Sequence, residues 1–233
     1  MSDKREYYRR PDVVAGYDAW RFGSAGGRYV DELERGKVLE LLRAVPRDAP
    51  VLDMPCGTGR LLPHLIGAGF SRVTGADASP GMLAAARASA PSVELVQQDA
   101  LDSTFADASF EAIVALRFAF HLEDPAPLFR EVRRLLRPGG VFVFDSIRWT
   151  PRGLFPLLDW KLGGRIWTHG ERKVRRALQE LDLTVSRTCR ALALPSLAYR
   201  FLPGSLVGPL AALERCLPDA IFTKTFYLVS AER

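Results

Sequence analysis

Between residues 51 and 144, short apolar or β-branched runs alternate with stretches of helical spacing, and this alternation restricts the fold more than any other feature of the chain. Val51-Leu52-Asp53 precedes Leu61–Ala68, and Arg72–Ala76 precedes Gly81–Ala90. Val93–Val96 follows; Phe110–Leu116 then precedes Pro125–Leu136, and Val141–Phe144 closes the series. Strands joined through helices pair in parallel, because each crossover carries the chain back over a sheet face. Right-handed crossovers then give a doubly wound α/β sheet with helices on both faces.

The flanks are less regular. Val30, Leu33, Val38, Leu41, Leu42 and Val45 mark one buried face of a helix that Pro46 closes. Ser79-Pro80 and Asp124-Pro125 each place a capping residue before a proline at the first helical position. Thr168-His169-Gly170-Glu171 reads as a capping box, so a helix is expected from about His169 to Glu180. Pro138-Gly139-Gly140 is expected to end the 125–137 helix and turn the chain into the next strand. Leu183–Ala193 and Phe222–Ser230 look like strands, while 147–167 and 195–218 are apolar inserts. No internal repeat or low-complexity linker divides the 233 residues, so a single domain spanning 1–233 is expected.

Composition excludes several classes. The three cysteines, Cys56, Cys189 and Cys216, have neither the number nor the spacing of a disulfide framework or a zinc knuckle, and no metal is expected. The first residues, MSDKREYYRRPD, hold no apolar core of signal-peptide length, and no run of about 18 apolar residues occurs anywhere. A cytoplasmic protein without a membrane span is therefore expected. Lysine and arginine outnumber aspartate and glutamate 32 to 27, but the arginines are spread through nearly every segment. A dispersed excess of that kind does not predict a nucleic-acid partner.

The chemistry concentrates in VLDMPCGTGR at 51–60. An apolar strand ends in Asp53, and Gly57 and Gly59 allow either a tight strand-to-helix turn or close approach of a ligand to the backbone. A dinucleotide fingerprint would need a third glycine where Leu62 stands, and no lysine followed by serine or threonine closes a phosphate loop. An acid at Asp53 would repel a pyrophosphate and suits an ammonium group instead. About 20 residues on, Asp77 ends the second strand, where a carboxylate can accept hydrogen bonds from both hydroxyls of a ribose.

These motifs, with Gln98-Asp99-Ala100 and LLRPGGVFVFD at 135–145, follow one order and spacing. By them the chain resembles a class I S-adenosylmethionine-dependent methyltransferase, of the broad group that includes the ubiquinone and menaquinone biosynthesis methyltransferases. The resemblance covers roughly 30–146 and implies a seven-stranded, mostly parallel sheet whose last strand is antiparallel. It implies that Asp53 and the loop of Pro55, Cys56, Gly57 and Gly59 hold the methionine part of S-adenosylmethionine, and that Asp77 holds the ribose. Ala78 and Met82 would flank the adenine, Asp99 and Ala100 would meet its amino edge, and Leu116-Arg117 would lie beside the donor methyl. S-adenosylhomocysteine would be the product. Pro55 departs from the small or other apolar residue more usual there.

Methyl transfer from a sulfonium needs orientation first, worth roughly 7–11 kcal/mol, and a base only where the acceptor must lose a proton. His121, just after the fourth strand, is the candidate base, and Arg117 the candidate for binding a substrate anion. Tyr7, Tyr8, Tyr17, Trp20, Phe22 and Tyr29 crowd the first 29 residues, which are expected to close as a lid. Tyr17 is the expected contact, with Arg21 or Arg28 meeting the cofactor carboxylate. The two inserts are expected to wall a pocket for a small, partly hydrophobic organic acceptor, methylated at oxygen; the alternatives are an RNA or protein methyltransferase and a catalytically silent partner protein that binds the cofactor. No asparagine- or aspartate-Pro-Pro-aromatic tetrapeptide of the kind that serves nucleobase amines follows the fourth strand.

Overall fold

A computed structural model describes residues 7, 8, 10–151 and 165–232. Phe155, Leu157, Leu158, Trp160 and Leu162, part of the expected acceptor wall, lie outside the described residues.

Seven strands form one sheet in the order β3-β2-β1-β4-β5-β7-β6. They are β1 (Pro50–Asp53), β2 (Arg72–Asp77), β3 (Glu94–Gln97), β4 (Phe110–Ala115), β5 (Leu136–Ile147), β6 (Leu183–Ala191) and β7 (Lys224–Ala231). The first five pair in parallel. β7 runs antiparallel between β5 and β6, as the family resemblance implies. Helices α1 (Pro11–Phe22), α2 (Ala25–Leu41), α3 (Leu62–Gly67), α4 (Pro80–Ser89), α5 (Ala126–Leu135), α6 (Glu171–Gln179), α7 (Ser196–Tyr199) and α8 (Gly204–Glu214) surround it.

Alternation along each strand divides the core in two. Val51, Ala112, Val114 and Val143 face a layer built with Val38 and Leu41 of α2 and Leu62 and Leu65 of α3. Their neighbours Leu52, Ile113, Phe142 and Phe144 face α5 through Leu128, Phe129 and Val132, and α6 through Val174 and Leu178. Phe144 stacks on Phe142 and on Tyr227, with ring centroids 4.8 Å apart in both pairs. Both faces are therefore covered, as a largely parallel sheet requires. No helix among the described residues is long and apolar enough to cross a membrane.

Two local expectations are corrected. The 138–140 turn is a bulge inside β5: Phe110 pairs with Leu136 and Ala112 with Val141, so the residues between are taken up within the strand, and Gly139 has φ +79°. The expected capping box at 168–171 does not form. α6 begins after Gly170 without a side-chain cap, and buried His169 instead directs Nε2 toward the carbonyls of Ala119 at 3.2 Å and Leu122 at 3.0 Å. The leucines of the 195–218 insert divide their roles. Leu202 and Leu210 pack on the core, Leu197 lines a cavity, and Leu206 and Leu213 are half exposed.

Candidate active site

The carboxyl ends of the parallel strands open into a cleft, the place where a doubly wound sheet leaves room for a ligand. Asp53 closes β1 and Asp77 closes β2; Asp99 and Ala100 follow β3, and Leu116, Arg117 and Phe118 follow β4. All of them line one cavity of about 180 Å³, together with Pro55, Cys56, Gly57, Ala78, Met82, His121 and Tyr17. Thirteen of the fifteen residues assigned from the sequence thus converge. Gly59 and Arg28 do not.

Their exclusion has local causes. Gly59 has φ +78°, and a Cβ there would come within 2.9 Å of Ala86 Cα and 2.7 Å of Ser89 Oγ, so this glycine lets the loop pack on α4. Gly57 has φ +56° with nothing within 4 Å of an added Cβ, and its amide donates to Asp77 Oδ2 at 2.9 Å. Only the first glycine therefore leaves space at the cleft. Arg28 is exposed and donates to the Gly23 carbonyl at 2.7 Å, away from the cavity. Arg21, its alternative, lines a second and smaller cavity.

The two strand-end carboxyls differ in setting. Asp53 is buried, and burial together with the charge of Asp77 pushes its pKa up to about 8 against the opposing pull of Arg60. Asp77 accepts the Gly57 amide through Oδ2 and the Ser79 amide, 2.8 Å away, through Oδ1. Burial still raises its pKa, while those amides act to lower it. Each oxygen of Asp77 keeps a lone pair beyond the one that holds the backbone. The Cys56 thiol is driven up by burial and by both aspartates, which removes it as a nucleophile at neutral pH.

Arg117 takes the left-handed backbone conformation, φ +60°, which costs a non-glycine residue of order 1 kcal/mol or more. Several contacts hold it, among them its amide, which donates to Asp145 Oδ1, and its guanidinium, which pairs with Glu34 at 2.8 Å. Glu34 also pairs with Arg60 at 3.0 Å and with Lys224 at 2.6 Å, and these cations hold its carboxyl well below the usual carboxylate range despite complete burial. The sequence reading missed this hub. Its signal was an acid in line with Val30 and Val38 on the buried stripe of α2, four residues from each.

The smaller cavity, about 50 Å³, is lined by apolar residues including Trp149, Ile166 and Leu197, together with Arg21 and Lys224. Tyr8, Tyr17, Arg117 and His121 line both cavities. At that junction Tyr8 Oη lies 3.5 Å from His121 Nε2, and burial raises the Tyr8 phenol to about 12. Tyr8 was legible only as one of a cluster of aromatics.

A family model described as a methyltransferase domain matches residues 52–144, from β1 to the middle of β5. Over these residues, about two fifths of its length, the chain is similar to methyltransferase domains. Its sequence is 38% identical over 94 residues to a demethylmenaquinone methyltransferase of Chlorobaculum parvum, covering 40% of this chain and 39% of that protein. It is 37% identical over 124 residues to a trans-aconitate 2-methyltransferase of an Azoarcus species, covering 52% and 48%. The match thus spans between two fifths and half of these relatives' lengths. In fold, the geranyl diphosphate C-methyltransferase of Streptomyces coelicolor superposes with a TM-score of 0.66 at 19% identity, over 87% of this chain and 81% of that one.

The cleft has residues suited to S-adenosylmethionine. A buried carboxyl held neutral until a cation arrives suits an ammonium group, and Asp77 has lone pairs for a diol. Ala78, Met82, Ala100 and Leu116 give the cleft apolar walls for a flat base.

Proposed function

We propose that the protein transfers a methyl group from S-adenosylmethionine to an oxygen of a small, partly hydrophobic organic acceptor. The observation that carries this reading is the pair of adjoining cavities that share Tyr8, Tyr17, Arg117 and His121. In the larger, Asp53 takes the ammonium group, the Gly57 backbone follows the methionine chain, Asp77 takes the ribose hydroxyls, and Asp99 with Ala100 meets the adenine edge. The smaller holds the acceptor. When bound, the cofactor supplies a methyl group already activated on a sulfonium sulfur.

The chain's part is then to orient and to exclude water. Leu116 and Tyr17 pack beside the reacting centre, and α1 covers the junction as a lid through Tyr17 and Arg21. His121 faces both cavities, where its imidazole positions the acceptor oxygen and can receive a proton from a hydroxyl. Relatives named for a menaquinone precursor and for trans-aconitate support a small-molecule acceptor.

The test is transfer of labelled methyl from the cofactor to a panel of phenols, quinols and organic acids, with product formation followed by mass spectrometry. Turnover with a member of the panel, with the label on oxygen, is the expected result. Label on carbon or nitrogen would overturn the choice of atom, and transfer only to RNA or protein would overturn the small-molecule acceptor.

A further inference from the structure

The smaller cavity carries a charge that methyl transfer itself does not demand. Among the described residues lining it are three cationic side chains, Arg21, Arg117 and Lys224, and no aspartate or glutamate. Two of these cations belong to a buried ion-pair cluster. Lys224 Nζ lies 2.6 Å from both Glu34 Oε1 and Asp145 Oδ2; Arg117 and Arg60 pair with Glu34, and Arg60 and Arg35 with Asp31. Three carboxylates therefore serve four cations. Unbalanced charge is costly away from water, and the inner part of this cluster is nearly dry, Lys224 being 2% exposed and Glu34 0%, while Arg60, Asp31 and Arg35 at its edge are 15–18% exposed. Arg117 Nε is also buried without a hydrogen-bond partner among the described residues, although buried donors are ordinarily satisfied.

We propose that the smaller cavity selects acceptors bearing an anionic oxygen group, a carboxylate or a phosphate monoester, on an apolar body. The inference rests on the reading that this cavity holds the acceptor. The anion supplies the missing negative charge and an acceptor for Arg117 Nε, and a guanidinium fork suits either oxyanion. Trp149, Ile166 and Leu197 cover the apolar part. Because Arg21 stands on α1 and Lys224 opens β7, the same anion ties the lid to the sheet.

The test titrates 2-naphthoate, 2-naphthyl phosphate and uncharged 2-naphthamide into protein saturated with S-adenosylhomocysteine. An anion is expected to bind at least about tenfold tighter than the amide, a difference of about 1.4 kcal/mol. The tighter of the two anions names the source. Arg21→Gln, which leaves the Glu34 cluster intact, is expected to remove most of that preference while S-adenosylhomocysteine still binds. Arg117→Lys, which keeps a charge for Glu34 and loses the fork, is expected to weaken the anions without weakening the amide. Equal binding of amide and anions beside bound S-adenosylhomocysteine overturns the inference and leaves the methyl-transfer reading standing. Failure of S-adenosylhomocysteine to bind overturns that reading instead, and the same three titrations on the free protein then decide the anion preference.

Discussion

Asp53 ties the affinity of the cleft to pH. With a pKa of about 8, its carboxyl holds a proton at pH 7 in the free protein. A ligand ammonium group seated against it favours the carboxylate, so binding releases a proton wherever the free protein still carries one. Affinity for S-adenosylhomocysteine should therefore rise between about pH 6 and 8 and level off above, by at most about tenfold per pH unit. Calorimetry in buffers of different ionisation enthalpy should count close to one proton released at pH 7, and Asp53→Asn should abolish the release. No release in the native protein would remove the ammonium from this carboxyl. His121 is a different case, since it meets both cavities and the Tyr8 hydroxyl lies 3.5 Å away. His121→Ala is expected to slow turnover by less than about tenfold at neutral pH, far short of the 10²–10⁴ that a general base contributes. A larger loss, with a rate in the native enzyme that rises as the imidazole becomes neutral, would make it the base.

At the scale of elements, the packing of α7 on α2 is set by one glycine. A Cβ on Gly26 would stand 1.9 Å from the Tyr199 carbonyl oxygen, and backbone cannot yield as a side-chain tip can. Gly26→Ala should push α7 away, loosen Tyr199 from Glu214, and cost about 1–3 kcal/mol in urea unfolding. Affinity for S-adenosylhomocysteine should hold, because neither Gly26 nor Tyr199 lines the larger cavity. Unchanged stability would mean that α7 contributes little to the fold. Such contacts also mark where sequence reasoning stops. The β1 to β5 alternation, the strand-end acids and the loop were legible because each depends on neighbours within a few residues: a period, a cap, a turn. Nothing local announces that Gly59 answers to Ala86, that Glu214 receives the hydroxyls of Tyr29 and Tyr199, or that His169 turns inward rather than capping a helix. The same holds for α8, an apolar helix among whose residues only Glu214 is fully buried. Periodicity assigns an apolar face to the core and has no means to recognise one turned outward.

Across the whole molecule, the sheet order brings α2 and the start of β7, 190 residues apart in sequence, to a single carboxylate at the floor of the site. Glu34 compensates Arg60, Arg117 and Lys224 at once, and Arg117 in turn lines both cavities from a strained backbone. Stability and site geometry thus share one group. Glu34→Gln keeps the shape and leaves three buried cations facing one another with less negative charge between them. Removing one partner of a buried pair costs about 3–5 kcal/mol, and that loss is the expectation here at neutral pH. The pH dependence has a definite sign. Because the folded carboxyl sits well below its ordinary range, the stability it confers is complete above the unfolded pKa, about 4.3, and fades only as the pH falls toward the folded one. Urea midpoints of the native protein and Glu34→Gln should therefore differ by a constant amount from pH 7 down to about 5 and converge in stronger acid. A gap below about 1 kcal/mol at pH 7, the size typical of exposed pairs, would mean that water already screens the cluster. Lys224→Met also takes from buried Asp145 the cation 2.6 Å away, so in the Glu34→Gln background it should not repair the loss, and a double-mutant cycle isolates the Glu34–Lys224 coupling.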